Sequence, residues 1–193
     1  MPEATTQPGN GESTARRFFS HAEIMAVIWG LMLAMFLAAL DQTIVAIALY
    51  SMALDLQGEA LMPWLISGYL VVATVATPIY GKLSDLYGRW PMLSTAIGIY
   101  LFASLASAAA QTMPQLLGFR LLQGLGGGGL IVLVQSIIAD IVPRQQRGRY
   151  QAYLSGVFAV AAIIGPVVGG LLTEHLSWRA VYLFNVPLAI AAW

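Results

Sequence analysis

Long apolar runs separated by short polar segments dominate the pattern of the chain. Residues 24–40, 61–81, 90–119, 121–139 and 150–173 carry no charged side chain, and another uncharged run begins at residue 180. A helix that crosses a membrane needs roughly 20 predominantly apolar residues. The pattern therefore predicts an all-α integral membrane domain over residues 20–193. Its helices are expected at about 24–50, 61–81, 91–112, 115–139, 150–173 and 179–193, the last of them incomplete.

The first residues differ in composition from the rest. Residues 1–19 are rich in Pro, Gly, Thr and Glu and have no apolar periodicity, which predicts a disordered tail. The segment Ser20-His-Ala-Glu23 has the spacing of a capping box, in which the Ser oxygen accepts an amide hydrogen bond and the Glu reaches back to the cap. It predicts the start of the first helix.

The charged residues change the picture through their positions. Only 9% of the 193 residues are charged, whereas about a quarter are charged in a soluble domain. Nine basic and nine acidic side chains cancel, so net charge identifies no partner, and we expect no nucleic acid. Seven of the nine basic residues lie at alternate loops: Arg16, Arg17, Lys82, Arg89, Arg144, Arg147 and Arg149. Because basic loops stay in the cytoplasm, the N-terminus and its tail are predicted to be cytoplasmic.

The segment "RLLQGLGGGGLIVLVQS", residues 120–136, contains glycines that fit two functions. Gly124, Gly126 and Gly129 match the dinucleotide fingerprint G-x-G-x-x-G, but that motif needs a preceding strand, and "QLLGFRLLQG" has no strand signature. Gly124 and Gly128 are four residues apart, so they share a helix face and permit close helix packing. Close packing inside a membrane is the interpretation that fits the surrounding apolar run.

Arg120 is a charge inside the predicted fourth helix, where charges are expensive and usually functional. Asp41 lies about 25 Å along the first helix from Ile24, and Arg120 lies about 9 Å from Pro114 in the opposite direction. These levels nearly coincide in a hydrocarbon core about 30 Å thick, whereas Asp140 is some 30 Å from Arg120. Asp41 is therefore the predicted partner of Arg120.

The role of this pair has two interpretations. A buried ion pair can be purely structural. Alternatively, desolvation favours the neutral form of a carboxylate while a neighbouring arginine favours its charged form, so a carboxylate balanced in this way can bind and release protons.

Five motifs now give the sequence a family resemblance. They are "LDQTIVAIALY" (residues 40–50), "GKLSDLYGRW" (81–90), "LLGFRLLQGLGGG" (116–128), "GPVVGG" (165–170) and "WRAVYLFNVP" (178–187). In this order they resemble the N-terminal part of a major facilitator superfamily transporter, in the drug:proton antiporter group with fourteen spans. The sequence departs from the usual motifs at single positions: Ala46, Tyr50, Leu86, Trp90, Ala161 and Tyr182.

The resemblance implies a six-helix half built from two three-helix repeats, working as a proton-coupled antiporter that exports amphipathic drugs or toxic compounds by alternating access. It implies that Asp41 and Arg120 couple protons. It implies a cytoplasmic gate at Gly81, Asp85, Gly88 and Arg89, and a substrate cavity at Gln42, Thr43 and Gln123. Glycine spacing and a proline within the helices separately predict close packing and a kink, and the residues concerned are Gly124, Gly128, Gly165, Pro166, Gly169 and Gly170.

The expected partners are a small amphipathic substrate, protons and the lipid bilayer, with an adaptor protein left open. We expect a multi-pass protein of the plasma membrane, a bacterial inner membrane in the first instance. The expected energy source is the proton gradient, with no cofactor. No metal site is expected, because the chain has no cysteine and neither of its two histidines has a second ligand at suitable spacing.

Other functions on the same fold stay open at this point. A symporter, an exporter of another small solute or lipid, and a non-transporting sensor or scaffold would share these spans, since a fold fixes little about substrate. An intramembrane enzyme is not expected, because the sequence contains neither H-E-x-x-H nor G-x-S-x-G. Because the last apolar run is short, we expect a fragment or truncated form of a longer transporter.

Overall fold

Six α-helices make up the described part of the chain. A computed structural model describes residues 21–192, with side chains from residue 27 onward, so the predicted tail and capping box lie outside the described side chains. The helices are α1 (His21–Asp55), α2 (Met62–Tyr87), α3 (Arg89–Ala108), α4 (Met113–Ile141), α5 (Arg147–His175) and α6 (Trp178–Ala192). Single 3-10 turns, Glu59–Leu61 and Arg144–Gln146, precede α2 and α5.

Five of these helices, α1 to α5, are long and apolar enough to cross a membrane, and α6 is a shorter apolar helix. The main departure from the predicted boundaries is at the loop expected after residue 81. The second helix continues to Tyr87, and only Gly88 separates it from α3. Gly88 has a φ of 94°, a conformation that glycine adopts without the steric penalty of a Cβ. Asp85 therefore lies in the last turn of α2 and not in a loop.

The helices pack so that the first three helices interlock with the last three, the two groups predicted as repeats. The fourth helix, from the second repeat, packs against α2 and α3 of the first repeat. The first helix in turn packs against α5 and α6 of the second repeat. Contacts of α1 with α4 and of α3 with α6 join these two groups. Neither repeat therefore has a packed interior of its own.

The buried apolar side chains form two clusters along the bundle. One cluster contains residues of α1 from Leu31 to Ala38 and residues of α4 from Leu130 to Ile138. The other contains residues of α1 from Ala39 to Ala53 together with Met113 and Leu116 of α4. The buried charged residues of α1 and α4 lie near the junction of the two clusters, so the bundle holds them away from both of its ends.

Candidate functional site

The glycines of α4 bring α2 close to the middle of α4. A Cβ built at Gly124 would lie 2.6 Å from the carbonyl oxygen of Tyr69, and one at Gly128 would lie 2.3 Å from that of Ala73. Both contacts are with backbone atoms, which cannot rotate away. Glycine at these positions is what lets the two helices approach so closely.

The neighbouring glycines serve a second interface that the sequence analysis missed. A Cβ at Gly126 would lie 2.8 Å from the carbonyl oxygen of Ala96 and 2.8 Å from the amide nitrogen of Tyr100, both on α3. The glycine-rich run therefore fits α4 between two helices at once. The signal was present in the sequence, since Gly126 lies two positions from Gly124 and points to a different face of a helix.

The packing of α4 against its neighbouring helices places Arg120 beside Asp41. A guanidinium nitrogen of Arg120 lies 2.5 Å from the Oδ2 atom of Asp41, and both side chains are fully buried. The two residues come from α4 and α1, so the pair joins the groups of helices that interlock across the bundle. The partner predicted from helix depth is the residue that the structure places beside Arg120.

Two amides complete the surroundings of the carboxylate. Gln123 donates from Nε2 to Oδ1 of Asp41 at 3.1 Å, and its own oxygen accepts from Arg120 at 2.7 Å. Asn185 of α6 donates from Nδ2 to the same Oδ1 atom at 2.6 Å. The Oγ atom of Ser104, on α3, lies 3.4 Å from this amide nitrogen and donates to the carbonyl oxygen of Tyr182 at 2.9 Å.

Aromatic rings cover the guanidinium. Its central carbon lies 4.5 Å from the centre of the Tyr69 ring and 6.0 Å from that of Tyr182, and a cation is attracted to the face of such a ring. Four buried polar atoms around the ion pair have no hydrogen-bond partner: Nε of Arg120, Oδ1 of Asn185 and the hydroxyls of Tyr69 and Tyr100. The site is therefore a buried carboxylate surrounded by donors, with the unpaired amide oxygen of Asn185 beside it.

The sequence analysis did not single out Asn185, Tyr69 or Ser104. Asn185 was part of the motif "WRAVYLFNVP", and an amide inside an apolar helix is a detectable signal in itself. Its contact with Asp41 depends on the rotation of α6 about its axis, which the sequence does not specify.

The helix-five motif packs against α1 as a close helix contact. A Cβ at Gly165 would lie 2.6 Å from Cβ of Thr43, and one at Gly169 would lie 3.1 Å from the carbonyl oxygen of Ile44. Pro166 lies inside α5, where it removes one backbone hydrogen bond. Gly170 departs from the predicted packing role, because a Cβ there would meet no atom within 4 Å.

The predicted cavity residues have different surroundings. Thr43 is half-buried, and its hydroxyl lies 2.8 Å from the carbonyl oxygen of Leu40 and 3.2 Å from that of Ala161, so it links α1 to α5. Gln123 is fully buried in the ion-pair network. Gln42 is half-buried beside Asp41. Of the three, Gln123 departs most from the prediction, because its amide faces the carboxylate and not an open surface.

An apolar groove lies elsewhere on the same helices. It has a volume of about 410 Å³ and is formed by the N-terminal parts of α1 and α5. Three aromatic side chains contribute to its walls: Trp29, Phe36 and Tyr153. Nε of Arg149 donates to the hydroxyl of Tyr153 at 2.8 Å. Such a groove suits the apolar part of an amphipathic molecule.

The predicted gate residues cluster at the end of the bundle where α2 meets α3, here named the Arg89 end. Arg89 lies 2.7 Å from a carboxylate oxygen of Asp85 and 3.0 Å from one of Asp140 on α4, and it also donates to Ser84. Arg89 therefore ties α2, α3 and α4 together. Gly81 has open space around it, so its surroundings indicate no packing role.

A second cluster lies at the opposite end, here named the Asp55 end. The carboxylate of Asp55 accepts from Trp178 at 2.9 Å and from Arg179 at 3.0 Å, and Arg179 also donates to the carbonyl oxygen of Ala110 at 3.2 Å. Trp178 is only 4% exposed. The end of α1 is thereby joined to the start of α6 and the end of α3.

Among the residues that the structure describes, no group of three His, Asp or Glu side chains is arranged to hold a metal ion. The fold and the site together define a helical, multi-pass membrane protein with a buried ion pair at the junction of its two repeats.

The comparisons with known proteins give the family. The family model of the Major Facilitator Superfamily matches residues 31–193. The chain therefore belongs to the Major Facilitator Superfamily, a family of transporters and not of enzymes, and it has the fold of the N-terminal half of such a transporter.

Its relatives carry the names of efflux proteins. The "Efflux pump dotC" of Dothistroma septosporum is 41% identical over 159 residues, which are 82% of this chain and 27% of that protein. The "Multidrug resistance protein 3" of Bacillus subtilis is 38% identical over 162 residues, which are 84% of this chain and 32% of that protein. The chain thus spans about 30% of the length of these relatives.

A solved structure, that of a D-xylose-proton symporter, matches the fold with a TM-score of 0.77. The match covers 88% of this chain and 46% of that protein at 16% sequence identity, so it supports the fold alone.

Proposed function

We propose that this chain is the N-terminal half of a proton-driven antiporter that exports amphipathic compounds from the cell. The observation that carries the proposal is the fully buried pair of Asp41 and Arg120, joined at 2.5 Å between α1 and α4. An ionisable residue inside a membrane-spanning bundle is usually functional. Asp41 is the coupling carboxylate in this proposal, and Arg120 sets how strongly it holds a proton.

Two further features support export of amphipathic molecules. The relatives are named as an efflux pump and a multidrug resistance protein. The groove between α1 and α5 is lined by apolar and aromatic side chains, which suits a substrate with a large apolar part. The proposed location is a plasma membrane, with the N-terminus and the Arg89 end in the cytoplasm because the basic loops lie there. Asp85 and Arg89 are then gate residues on the cytoplasmic side.

The test uses everted membrane vesicles that contain the full-length transporter and a fluorescent amphipathic dye. Acidifying the vesicle lumen should drive dye into the vesicles, and an uncoupler should abolish that uptake. Asp41→Asn should keep some dye binding but lose gradient-driven uptake, because the amide keeps the shape of the side chain and cannot titrate. Glu174→Gln, which removes an exposed acid at the end of α5, is the matched control and should transport normally.

Each alternative predicts a different result in the same assay. Dye leaving the vesicles when the lumen is acidified would indicate symport. Unchanged uptake by Asp41→Asn would leave the ion pair with a structural role only. Absence of proton-driven flux of any dye, with dye binding retained, would favour a sensor or scaffold.

A further inference from the structure

Asn185 has a hydrogen-bonding arrangement that favours the charged form of Asp41. Its Nδ2 atom donates to Oδ1 of Asp41 at 2.6 Å, and a hydrogen bond to a charged carboxylate is stronger than one to the neutral acid. Its Oδ1 atom is buried without a partner. A buried acceptor left unpaired is unfavourable, so the amide is satisfied on one side only.

The other groups around Asp41 cannot follow a change of protonation in the same way. Gln123 is held at both ends, because its nitrogen donates to Asp41 and its oxygen accepts from Arg120. Arg120 has only donors. Among the described residues that hydrogen-bond to the carboxylate, Asn185 alone offers both a donor in use and an acceptor that is free.

We propose that Asn185 is a positioning residue that follows the protonation of Asp41 by turning its amide. A proton delivered as hydronium from the acidic aqueous side adds to Oδ1 of Asp41 and leaves neutral water behind. The resulting acid then donates to Oδ1 of Asn185 after the amide has rotated by about half a turn. Release of the proton reverses both steps. This inference rests on the proposed function, in which Asp41 carries the proton.

The surroundings of Asn185 offer a second donor to the oxygen of the turned amide. Ser104 lies 3.4 Å from the present position of Nδ2, so its hydroxyl can donate to the oxygen that replaces the nitrogen. That hydroxyl now donates to the carbonyl oxygen of Tyr182 on α6. Pro187, two residues beyond Asn185, lies inside α6 and leaves one carbonyl of that turn without its helical partner. Protonation of Asp41 therefore changes the hydrogen bond that Ser104 of α3 donates to the backbone of α6.

The remaining polar groups near Asp41 are few. Arg120 from α4 is the only charged side chain in contact with it among the described residues. The tyrosines that face it are Tyr69 of α2, Tyr100 of α3 and Tyr182 of α6. The fifth helix presents glycines to α1 near this level. The switch in hydrogen bonding thus falls on Asn185 and not on a competing titratable group.

The experiment records infrared difference spectra between low and high pH for the full-length transporter in lipid vesicles. We expect a carboxylic acid band from Asp41 and an amide carbonyl band from Asn185. Both bands should be lost in Asp41→Asn. In Asn185→Leu the amide band should be lost and the acid band should shift in frequency. A difference spectrum of Asn185→Leu with the wild-type amide bands would overturn the inference.

A transport assay supplies the second readout. Charge-assisted hydrogen bonds are roughly twice as strong as neutral ones, so loss of the amide disfavours the charged carboxylate more than the neutral acid. Asn185→Ala should therefore move the midpoint of the pH profile of transport upward by roughly one unit. Asn185→Ser, which regains a donor and an acceptor at similar size, should move it back. Ser107→Ala, a buried hydroxyl of α3 without a partner, is the control and should keep the wild-type profile.

The outcomes separate this inference from the proposed function. If Asp41→Asn leaves proton-driven transport and both bands intact, the proposed function fails and this inference fails with it. If Asp41→Asn abolishes coupling while Asn185→Ala and Asn185→Ser both keep the wild-type pH profile, only the role of Asn185 is refuted. The Ala and Ser variants differ by one hydroxyl, so their comparison stands even if Asn185→Leu does not fold.

Discussion

Gly128 provides a quantitative test of the packing between α2 and α4. In Gly128→Ala the new methyl carbon would lie 2.3 Å from the carbonyl oxygen of Ala73 and 2.8 Å from its Cα atom, whereas ordinary contact begins at 3.4 Å. The helices would have to separate locally by about 1 Å, since backbone atoms cannot turn aside. Overpacking of this kind costs about 1–3 kcal/mol, and two backbone contacts place this variant near the upper value.

A second glycine of the same helix supplies the control. Gly118 also lies in α4, but a Cβ there would meet no atom within 4 Å. Alanine is intrinsically better than glycine in a helix by about 0.5–1 kcal/mol, so Gly118→Ala should be neutral or slightly stabilising. Because both variants share this intrinsic gain, the difference between them isolates the packing term of about 1–3 kcal/mol.

The assay is reversible unfolding of the full-length transporter in mixed micelles of increasing denaturing-detergent content, followed by tryptophan fluorescence. Gly128→Ala should unfold at lower detergent content than Gly118→Ala. Adding Ala73→Gly to Gly128→Ala should not restore stability, because the nearest atoms belong to the backbone of residue 73. Equal stability of the Gly118 and Gly128 variants, or rescue by Ala73→Gly, would refute the packing argument.

The remaining predictions concern charge and topology. Arg120→Ala should stop transport and lower the free energy of unfolding by about 3–5 kcal/mol, because it leaves the buried carboxylate of Asp41 unpaired. Vesicle uptake measures the first effect and detergent unfolding the second, and wild-type values in both would show that the two residues are not coupled. Asp85→Asn removes an exposed ion pair, so the free energy of unfolding should change by at most about 1 kcal/mol. Alkylation of single cysteines should nevertheless show a larger inward-facing population. Unchanged cysteine accessibility with intact transport would show that Asp85 is not a gate residue. Cysteines at Gln57 and Gln145 should be labelled from outside and inside respectively, and labelling of residue 145 from outside in intact cells would contradict the proposed orientation.

The sequence predicted the buried pair because helix geometry converts position into depth. A charge in an apolar span is rare enough to stand out, and the rise per residue places Asp41 and Arg120 at one level. The same arithmetic puts Asp140 and Arg89 at one end of the bundle, although only the structure shows them 3.0 Å apart. The level of a residue in the bundle was therefore predictable, whereas the contact between Arg89 and Asp140 was not.

Neutral polar groups were harder to place because their surroundings depend on helix rotation. The hydroxyl of Thr43 contacts backbone carbonyls and not an open cavity, and the amide of Asn185 contacts the carboxylate of Asp41. Neither outcome follows from spacing along one helix. The length of the loop after residue 81 was also mispredicted, because Lys82 and Asp85 end an apolar run without ending the helix.

The energies of the buried and exposed ion pairs indicate which parts of this six-helix domain can move. Pulling the interlocked repeats apart would break the buried pair of Asp41 and Arg120, and breaking such a pair by removing one partner costs about 3–5 kcal/mol. It would also separate α4 from the helices that its glycines contact. The exposed pairs at the two ends are each worth at most about 1 kcal/mol. In the proposed switch, a change of protonation at Asp41 would leave the repeats packed and would alter the hydrogen bonds that Asn185 and Ser104 make between α1, α3 and α6. Such a half would move as one body in alternating access, and the proton would act through the one helix contact whose hydrogen bonds can reverse.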